Sequence, residues 1–338
     1  MRIHDFAKVF VEGGDCFSDI IGLEKTKHQL KSALLMNRHV LIVGPPGVGK
    51  TTLARNIARL LPELDCNDCE FHCLPKKPIC PSCCSGNSTK SRKVNGVERF
   101  VRLQGSPDLT VEDVLGDIDP IKALKFGPAS LEAFSPGKLF RANNGVVFFD
   151  ELNRAPEKLQ NALLQVLEEG KATLGAYVID VPANFIFVAT ANPCESSTTE
   201  DLSDVLLDRL DVINMGYPDS LDDEVRIVQL QGEKLSVEFP VDLLSDCVLF
   251  VRQLREHKDL VRLPSVRCSI GLFERAQANA FLAGRKIVAK QDVNDAIFSV
   301  IGQRIELKPA VKYMKSLETF LREELLSRNG FKNRGGSL

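Results

Sequence analysis

Eight residues near the start of the chain constrain its fold more than any other segment does. Residues 44–51, Gly-Pro-Pro-Gly-Val-Gly-Lys-Thr, fit the pattern G-x-x-x-x-G-K-[ST] of a phosphate-binding loop. The preceding residues 39–43 form an apolar run with strand character, and residues 52–61 carry apolar side chains at helical spacing. A strand, a glycine-rich turn and a helix N-terminus in this order surround a polyphosphate with backbone N–H groups. We therefore expect a nucleotide site here.

The loop pattern assigns roles to individual residues. We expect Lys50 to reach the terminal phosphates and the Thr51 hydroxyl to ligate Mg²⁺. A chance glycine turn before a helix is the alternative, and the strand and helix on either side argue against it. The residues expected to surround the phosphates are Gly44, Pro45, Pro46, Gly47, Val48, Gly49, Lys50, Thr51 and Thr52.

Composition excludes several classes of protein. The chain has 338 residues, enough for two domains, with 44% hydrophobic and 26% charged residues, as in globular proteins. Its net charge of −2 gives no overall basic field for nucleic acid. Neither a signal peptide nor a membrane-spanning run is visible, so we expect an intracellular, cytoplasmic protein without a membrane partner. Ten cysteines in such a protein suggest metal ligation before disulfides.

Apolar runs that alternate with helical patterns indicate the fold class. Beyond 39–43, strand-like runs occupy residues 100–103, 146–149, 185–189 and 212–215, and helical patterns such as 157–167 separate them. This alternation predicts an α/β domain over residues 1–216, with a parallel sheet between helices.

The rest of the chain has a helical sequence pattern. From about residue 217 the β-branched runs cease, which predicts an all-α second domain over 217–327. Residues 328–338 are polar and glycine-rich and are predicted to be a flexible tail. The predicted helices of the second domain are 221–232, 241–257, 265–283, 290–303 and 312–327.

Polar residues follow two of the predicted strands. Asp150 and Glu151 end the run Val-Val-Phe-Phe-Asp-Glu, and Asn192 follows the next strand. Beside a phosphate-binding loop, Asp150 would hold Mg²⁺ through water and Glu151 would polarise the attacking water. Asn192 would orient that water without competing for the metal. A plain strand end and an Asn-Pro turn are the alternative interpretations.

Taken together, these motifs resemble the AAA+ ATPases, with Walker A at 44–51, Walker B at Asp150-Glu151 and sensor 1 at Asn192. The segment Asp-Ile-Ile-Gly at 19–22 looks like the one that lines the adenine pocket in that family, which implies roles for Ile21 and Gly22. Residues 149–156, Phe-Asp-Glu-Leu-Asn-Arg-Ala-Pro, are similar to MoxR-type ATPases, and residues 136–145 are similar to the magnesium-chelatase ATPase subunit. The resemblance covers roughly residues 15–310.

This resemblance implies an αβα core with a C-terminal helical lid, ATP hydrolysis with Mg²⁺, and a ring assembly, most often hexameric. It implies that Arg209 is an arginine finger acting on the neighbouring subunit's ATP, and that Arg267 is a sensor-2 residue. Arg154 is a weaker candidate for a phosphate-sensing arginine across the interface. A surface ion pair of Arg209 with Asp208 or Asp211, and a solvated helix end for Arg267, are the alternatives. The resemblance also implies two pore-type hairpin insertions, near 117–137 and 169–182.

The purpose of hydrolysis is less constrained. We expect a MoxR-type remodelling ATPase that acts on a partner protein, in maturation or metal insertion, alongside a von Willebrand A domain protein. The motor subunit of a magnesium or cobalt chelatase and a nucleic-acid translocase are the alternatives, and the translocase is not favoured because core and lid account for almost the whole chain. An ATP-dependent scaffold without hydrolysis is least favoured, since both Asp150 and Glu151 are present.

A cysteine-rich insertion, over 64–98, contains six of the ten cysteines. The two groups at 66–73 and 80–84 are spaced as in sites that surround a tetrahedral Zn²⁺. An insertion of this kind also looks like one in some archaeal and bacterial chelatase-like ATPases. An Fe–S cluster and redox-active thiols are alternatives. The expected ligands are Cys69, Cys73, Cys80 and Cys83, with Cys66, His72 or Cys84 as substitutes.

A basic stretch follows the cysteines, and two interpretations of it are open. A solvated loop is favoured over a nucleic-acid contact, because no aromatic residues are interleaved with the charges. Its members are Lys90, Arg92, Lys93, Arg99 and Arg102.

Overall fold

A computed structural model describes residues 4–12, 15–86, 90–128, 130–173, 180–192 and 202–327. Its residues form two compact units, Met1–Pro45 with Gly49–Met215, and Pro46–Val48 with Gly216–Leu338. The predicted tail at 328–338, Pro193 and the middle of the second predicted hairpin, 174–179, lie outside the described residues. Within the described residues, no helix combines the length and apolar character needed to cross a lipid bilayer.

The first unit is built from alternating strands and helices. Its helices are α1 His4–Glu12, α2 Glu24–Leu35, α3 Lys50–Arg59, α4 Pro81–Cys84, α5 Val111–Leu115, α6 Pro120–Phe126, α7 Glu157–Glu169 and α8 Asp204–Leu207. Its strands are β1 His39–Val43, β2 Leu64–Asn67, β3 Ser91–Val94, β4 Phe100–Gln104, β5 Gly116–Ile118, β6 Phe134–Pro136, β7 Gly145–Asp150, β8 Lys171–Thr173, β9 Asp180–Pro182, β10 Phe185–Ala191 and β11 Leu210–Asn214.

Five of these strands form one parallel sheet in the order β11-β1-β10-β7-β4. The predicted α/β fold is confirmed. The apolar runs read from the sequence are the strands of this sheet, although the last one runs over 210–214 rather than 212–215. Strand β7 shows why these strands are continuous apolar runs in the sequence. Residues 145–149 are all buried, because helices cover both faces of a parallel sheet. Each large apolar side chain buried this way contributes about 1.5–3 kcal/mol.

His39 is the first residue of strand β1, between β11 and β10, and is a polar residue in an apolar sheet. Its Nδ1 accepts the backbone N–H of Phe187 at 3.1 Å. Burial, with Arg38 as a lesser cause, lowers the pKa of His39 to about 4. The ring is therefore neutral at neutral pH, which is the state that leaves Nδ1 able to accept this hydrogen bond.

Among the described residues of this unit, three antiparallel strand pairs lie in the segments between the sheet strands. β2 pairs with β3 and encloses the cysteine-rich segment, β5 pairs with β6 around helix α6, and β8 pairs with β9. The last two pairs lie in the segments where sequence resemblance implies hairpins, 117–137 and 169–182. The structure adds a helix, α6, between the strands of the first pair.

The second unit is not purely helical, and the all-α prediction is wrong in this detail. Its helices are α9 Leu221–Gln231, α10 Val241–Arg255, α11 Val266–Leu282, α12 Lys290–Ile301, α13 Pro309–Lys312 and α14 Leu317–Ser327, and β12 Leu260–Arg262 pairs with β13 Glu306–Leu307.

The helix predicted at 312–327 is two helices, α13 and α14. Ser316 explains the break, because its Oγ accepts the N–H of Thr319 at 3.1 Å and starts a new helix as an N-cap. A buried ionic cluster holds this unit together as well. The fully buried Glu224 carboxylate accepts from Arg255 at 2.6 and 2.7 Å and from Ser269 at 2.7 Å. A buried carboxylate is tolerated only with partners of this kind.

Candidate active site

The phosphate-binding loop leaves the end of β1 and enters α3 at Lys50. The loop is fixed to both neighbouring strands, since Gly44 N–H donates to Ala191 O at 3.3 Å and Met215 N–H donates to Val43 O at 2.8 Å. A Cβ on Gly44 would lie 2.1 Å from Met215 O, so only glycine fits there. Gly49 precedes the helix with φ +101°, which lies in the left-handed region that favours glycine.

Lys50 folds its side chain back over this loop. Its ammonium donates to Gly44 O and, at 3.3 Å, to Pro45 O. The first N–H groups of a helix such as α3 lack intrahelical acceptors and favour an anion. The loop therefore combines a lysine ammonium with a helix N-terminus, which are the two groups that a polyphosphate needs.

The predicted adenine segment lies against the loop. Ile20 is buried, and its Cδ1 is 3.5 Å from where a Cβ on Gly49 would be. Gly22 and Leu23 both have left-handed backbones, with φ of 65° and 56°, immediately before α2. Ile21 and Gly22, which follow Ile20 in this turn, are half-buried.

The two acids occupy the carboxyl end of β7, and Asn192 follows that of β10, at the same edge of the sheet as the phosphate loop. Thr190 on β10 organises the acids: it donates to Asp150 Oδ1 at 2.7 Å and accepts the N–H of Glu151 at 2.9 Å. Glu151 itself has a left-handed backbone with φ 56°. This turn, which is costly for a residue with a Cβ, separates the directions of the two carboxylates.

Strand β4 supplies polar partners to both acids. Arg102 donates to Asp150 Oδ2 at 2.6 Å, and Gln104 donates to Glu151 Oε2 at 2.9 Å. Arg154 donates to the same Glu151 oxygen at 2.9 Å. Arg102 and Gln104 are two residues apart and lie on the same face of the strand. Sequence reasoning missed Gln104 and Thr190, because only the strand order shows that β4 and β10 flank β7.

The solvated-loop interpretation of the basic stretch is wrong for Arg99 and Arg102. Arg99 is fully buried and donates to the carbonyls of Asn144, Pro62 and Asn95. Arg102 lies on β4 beside Asp150. Both form part of the core domain because they lie in and next to β4, the edge strand of the sheet, which charge alone does not indicate.

The predicted arginine finger is engaged within its own chain. Arg209 donates to Glu168 at 2.5 Å and to Asp208 at 2.8 Å, and its side chain remains 41% exposed. The hydrogen bond to Glu168, with the charges of Glu168 and Asp208, raises the pKa of Arg209. Asp211, the other suggested partner, pairs with Arg38 at 3.4 Å. The pair with Asp208 is the surface ion pair that was the alternative interpretation of Arg209.

The predicted sensor-2 residue, Arg267, is exposed at the start of α11. Residues Pro46–Val48, the tip of the phosphate loop, belong to the same compact unit. A Cβ on Gly47 would lie 3.0 Å from Ser265 Oγ and 3.2 Å from Arg267 Cγ. The start of this helix is thus next to the tip of the loop.

The sulfur atoms of Cys69, Cys73, Cys80 and Cys83 lie within 4.8 Å of one another. Backbone N–H groups of Ile79 and Cys80 donate to Cys73 Sγ at 3.3 and 3.4 Å. Burial raises the pKa of Cys80 to about 12, and a hydrogen bond to Cys73 raises that of Cys69. Four convergent sulfur donors, with N–H groups directed at one of them, fit a tetrahedral metal ion.

The three suggested substitute ligands lie apart from this group. Cys66 is buried on β2, and Cys84 is exposed with its Sγ 3.7 Å from Pro78 O. His72 is committed elsewhere, because its Nδ1 is 3.0 Å from Arg141 O. The cysteine group and the nucleotide loop are therefore two separate sites in the same domain.

Three family models match the chain in sequence order. The model of magnesium chelatase subunit ChlI matches residues 16–72, the ATPase family associated with various cellular activities (AAA) matches 85–212, and the AAA lid domain matches 259–323. The matched segments carry the phosphate loop, the two acids and the helical second unit in turn.

Relatives over most of the chain agree with these models. YeaC of Bacillus subtilis is 28% identical over 306 residues, covering 83% of this chain and 82% of that protein. Chaperone MoxR1 of Mycobacterium tuberculosis is 26% identical over 317 residues, covering 85% and 73%. The magnesium-chelatase 38 kDa subunit of Acidiphilium rubrum is 26% identical over 298 residues, covering 80% and 84%.

Solved structures share the fold. The complex between subunits BchI and BchD of magnesium chelatase, based on a single-particle cryo-EM reconstruction, matches with a TM-score of 0.51 at 24% identity, covering 88% of this chain and 98% of that chain. A RuvB mutant of Thermotoga maritima matches with a TM-score of 0.50 at 17% identity, covering 84% and 72%.

Fold, phosphate loop, paired acids and lid define this chain as an AAA+ ATPase, an enzyme that hydrolyses ATP to ADP and phosphate. Within that class it belongs to the branch of the MoxR-type ATPases and the ATPase subunits of magnesium chelatase.

Proposed function

We propose that this ATPase works as a ring, most simply a hexamer, and uses ATP hydrolysis to remodel a partner protein. In such a ring Arg209 of one subunit stabilises the transition state of ATP held by the next. The exposed position of Arg209 supports this role. The relationship to chaperone MoxR1 supports a protein as the substrate, and a protein with a von Willebrand A domain is the partner we expect beside it.

The observation that carries the proposal is helix α6, on the β5–β6 strand pair. Every residue of α6 is at least partly exposed, and Ile121 and Leu124 are 80% and 91% exposed. Lys122 follows Ile121 and Lys125 follows Leu124 in the same helix. Large apolar side chains exposed together on a projecting element mark a surface that contacts another macromolecule. We assign this surface to the protein on which the ring acts.

A chelatase motor is the second candidate, favoured by the match of residues 16–72 to magnesium chelatase subunit ChlI. In that case the partner protein would belong to a complex that inserts Mg²⁺ or Co²⁺ into a tetrapyrrole. A nucleic-acid translocase is less well supported. Three arginines of the basic stretch have intramolecular partners: Arg92 pairs with Glu98 at 2.6 Å, Arg102 with Asp150, and Arg99 is buried.

One assay separates these functions: the ATPase rate alone, with single-stranded DNA, with a co-purified von Willebrand A domain protein, and with that protein plus Mg²⁺ and porphyrin. We expect stimulation by the protein partner. We expect the double variant I121S/L124S to lose most of the ratio of stimulated to unstimulated rate. Leu282→Ser, a change at an 83% exposed leucine of the second unit, is the matched control and should keep that ratio.

Other outcomes of that assay assign the other functions. Metal insertion into porphyrin would identify a chelatase motor. Stimulation by DNA and not by protein would contradict remodelling, as would full stimulation of I121S/L124S.

We further propose that Cys69, Cys73, Cys80 and Cys83 hold a structural Zn²⁺. The segment between β2 and β3 is too short to bury a core of its own, so metal binding would supply its folding energy. Its loop is tied to the residues before β7: Asn143 donates to Phe71 O at 3.2 Å, and Arg141 pairs with Glu70 at 3.2 Å. A bound metal ion would thus also stabilise the residues that precede β7, the strand that leads to Asp150 and Glu151.

We expect Cys73→Ser to lose bound zinc and to lower the melting temperature, because Cys73 is buried among the other three thiols. Cys84, next to Cys83 in sequence, is exposed, and Cys84→Ser should keep the bound zinc and the melting temperature. Because the raised pKa values of Cys69 and Cys80 leave these two thiols protonated, metal binding should release protons, and the apparent affinity should fall as pH decreases. Elemental analysis and proton release on zinc titration measure these effects. Stoichiometric iron with visible absorbance would instead indicate an Fe–S cluster.

A further inference from the structure

The Walker B carboxylate of Asp150 already has a protein donor at each oxygen. Thr190 donates to Oδ1 at 2.7 Å and Arg102 donates to Oδ2 at 2.6 Å. A carboxylate that holds Mg²⁺ through water must accept hydrogen bonds from the water ligands of the ion. Each oxygen can still accept a second hydrogen bond, so what opposes a hydrated Mg²⁺ at Asp150 is the bulk and charge of a donor beside it.

Burial shows which of the two donors can move. Thr190 is fully buried and also accepts the N–H of Glu151, so moving it would break two bonds at once. Arg102 lies on β4, the edge strand of the sheet, and its side chain is 48% exposed. It also has a second acceptor, Gln104 Oε1, at 3.2 Å. Arg102 can leave Asp150 without leaving a buried polar group unpaired.

The charges favour displacement of Arg102 from Asp150 by Mg²⁺. Without a metal, the guanidinium compensates the Asp150 carboxylate, whose side chain is only 15% exposed. Arriving Mg²⁺ brings two positive charges to the same carboxylate, and like charges at this distance repel. We propose that Arg102 is a positioning residue that occupies Asp150 until Mg²⁺ binds and thereby raises the Mg²⁺ concentration at which the site fills.

The test is a titration of the full-length protein with Mg²⁺ in the presence of a fluorescent ADP analogue, which is not hydrolysed. Arg102→Met removes the cation and keeps the length of the side chain, and Arg102→Lys keeps a cation. Arg92→Met is the matched control, since Arg92 pairs with Glu98 at the same 2.6 Å and is similarly exposed at 43%. If Arg102→Met does not fold, Arg102→Gln replaces it.

Because ion pairs of this exposure contribute at most about 1 kcal/mol, we expect the Mg²⁺ midpoint of Arg102→Met to fall about two- to fivefold. Arg102→Lys should fall less, and Arg92→Met should match the unchanged protein. A purely structural Arg102 would lower the melting temperature and leave the midpoint where it was, which overturns the proposal. A higher midpoint in Arg102→Met also overturns it, because Arg102 would then be helping Asp150 to hold the metal.

Discussion

Replacing Glu151 by Gln should leave ATP bound and stop its hydrolysis. The amide keeps the size of the side chain and can still accept from Gln104, but it cannot polarise the attacking water as a carboxylate does. We expect turnover to fall by about 10²–10⁴-fold, the usual contribution of a general base. Phosphate release measures turnover, and a fluorescent ATP analogue measures binding in the same preparation.

Glu157→Gln is a suitable control for that change. Glu157 is an exposed acid at the start of α7, a few residues from Glu151 in the chain. It should hydrolyse ATP at the normal rate. Normal hydrolysis by Glu151→Gln would show that another group activates the water, and loss of ATP binding would show that Glu151 is needed for the shape of the site.

Replacing Arg209 by Ala should reduce hydrolysis by about 10³–10⁵-fold, the range for arginine fingers. The structure makes this a demanding prediction, because Arg209 in one subunit is paired with Glu168 and Asp208. Exposed pairs of this kind are weak, so a neighbouring γ-phosphate can compete for the guanidinium. Arg38→Ala removes another exposed arginine, paired with Asp211 at 3.4 Å, and should have little effect.

Mixing subunits tests whether Arg209 acts in trans. Arg209→Ala and Glu151→Gln are each expected to be inactive alone. A mixed ring contains interfaces that combine Glu151 of one subunit with Arg209 of the other, so mixing should restore part of the activity. No recovery in rings shown to be mixed would indicate that Arg209 acts within its own subunit. Normal hydrolysis by Arg209→Ala would mean that its ion pairs are its whole role.

Some elements could be predicted from the sequence because their signals are local. The phosphate loop is recognisable since its glycines, its lysine and the flanking strand and helix all lie within about twenty residues. The strand β7 is a continuous apolar run because it is buried on both faces. The spacing of Cys69, Cys73, Cys80 and Cys83 likewise limits which sulfur atoms a short loop can bring together.

Other features could not be predicted because they depend on which strands are neighbours. Gln104 and Glu151 are 47 residues apart in sequence, and only the pairing of β4 with β7 brings them within hydrogen-bond distance. The short pair β12–β13 could not be predicted either, because strands of two or three residues give no periodic signal.

The sequence by itself determined the fold class, the nucleotide chemistry and the four cysteines of the second site, because glycine conformation, hydrophobic period and ligand spacing act over short stretches of chain. Only the tertiary structure decided that Arg99 is buried, that Arg102 holds Asp150, and that Thr190 connects both acids. A charged or polar residue has the same local pattern on a solvated loop and on a strand of the sheet. Its partners are set by the order of the strands, which long-range packing selects.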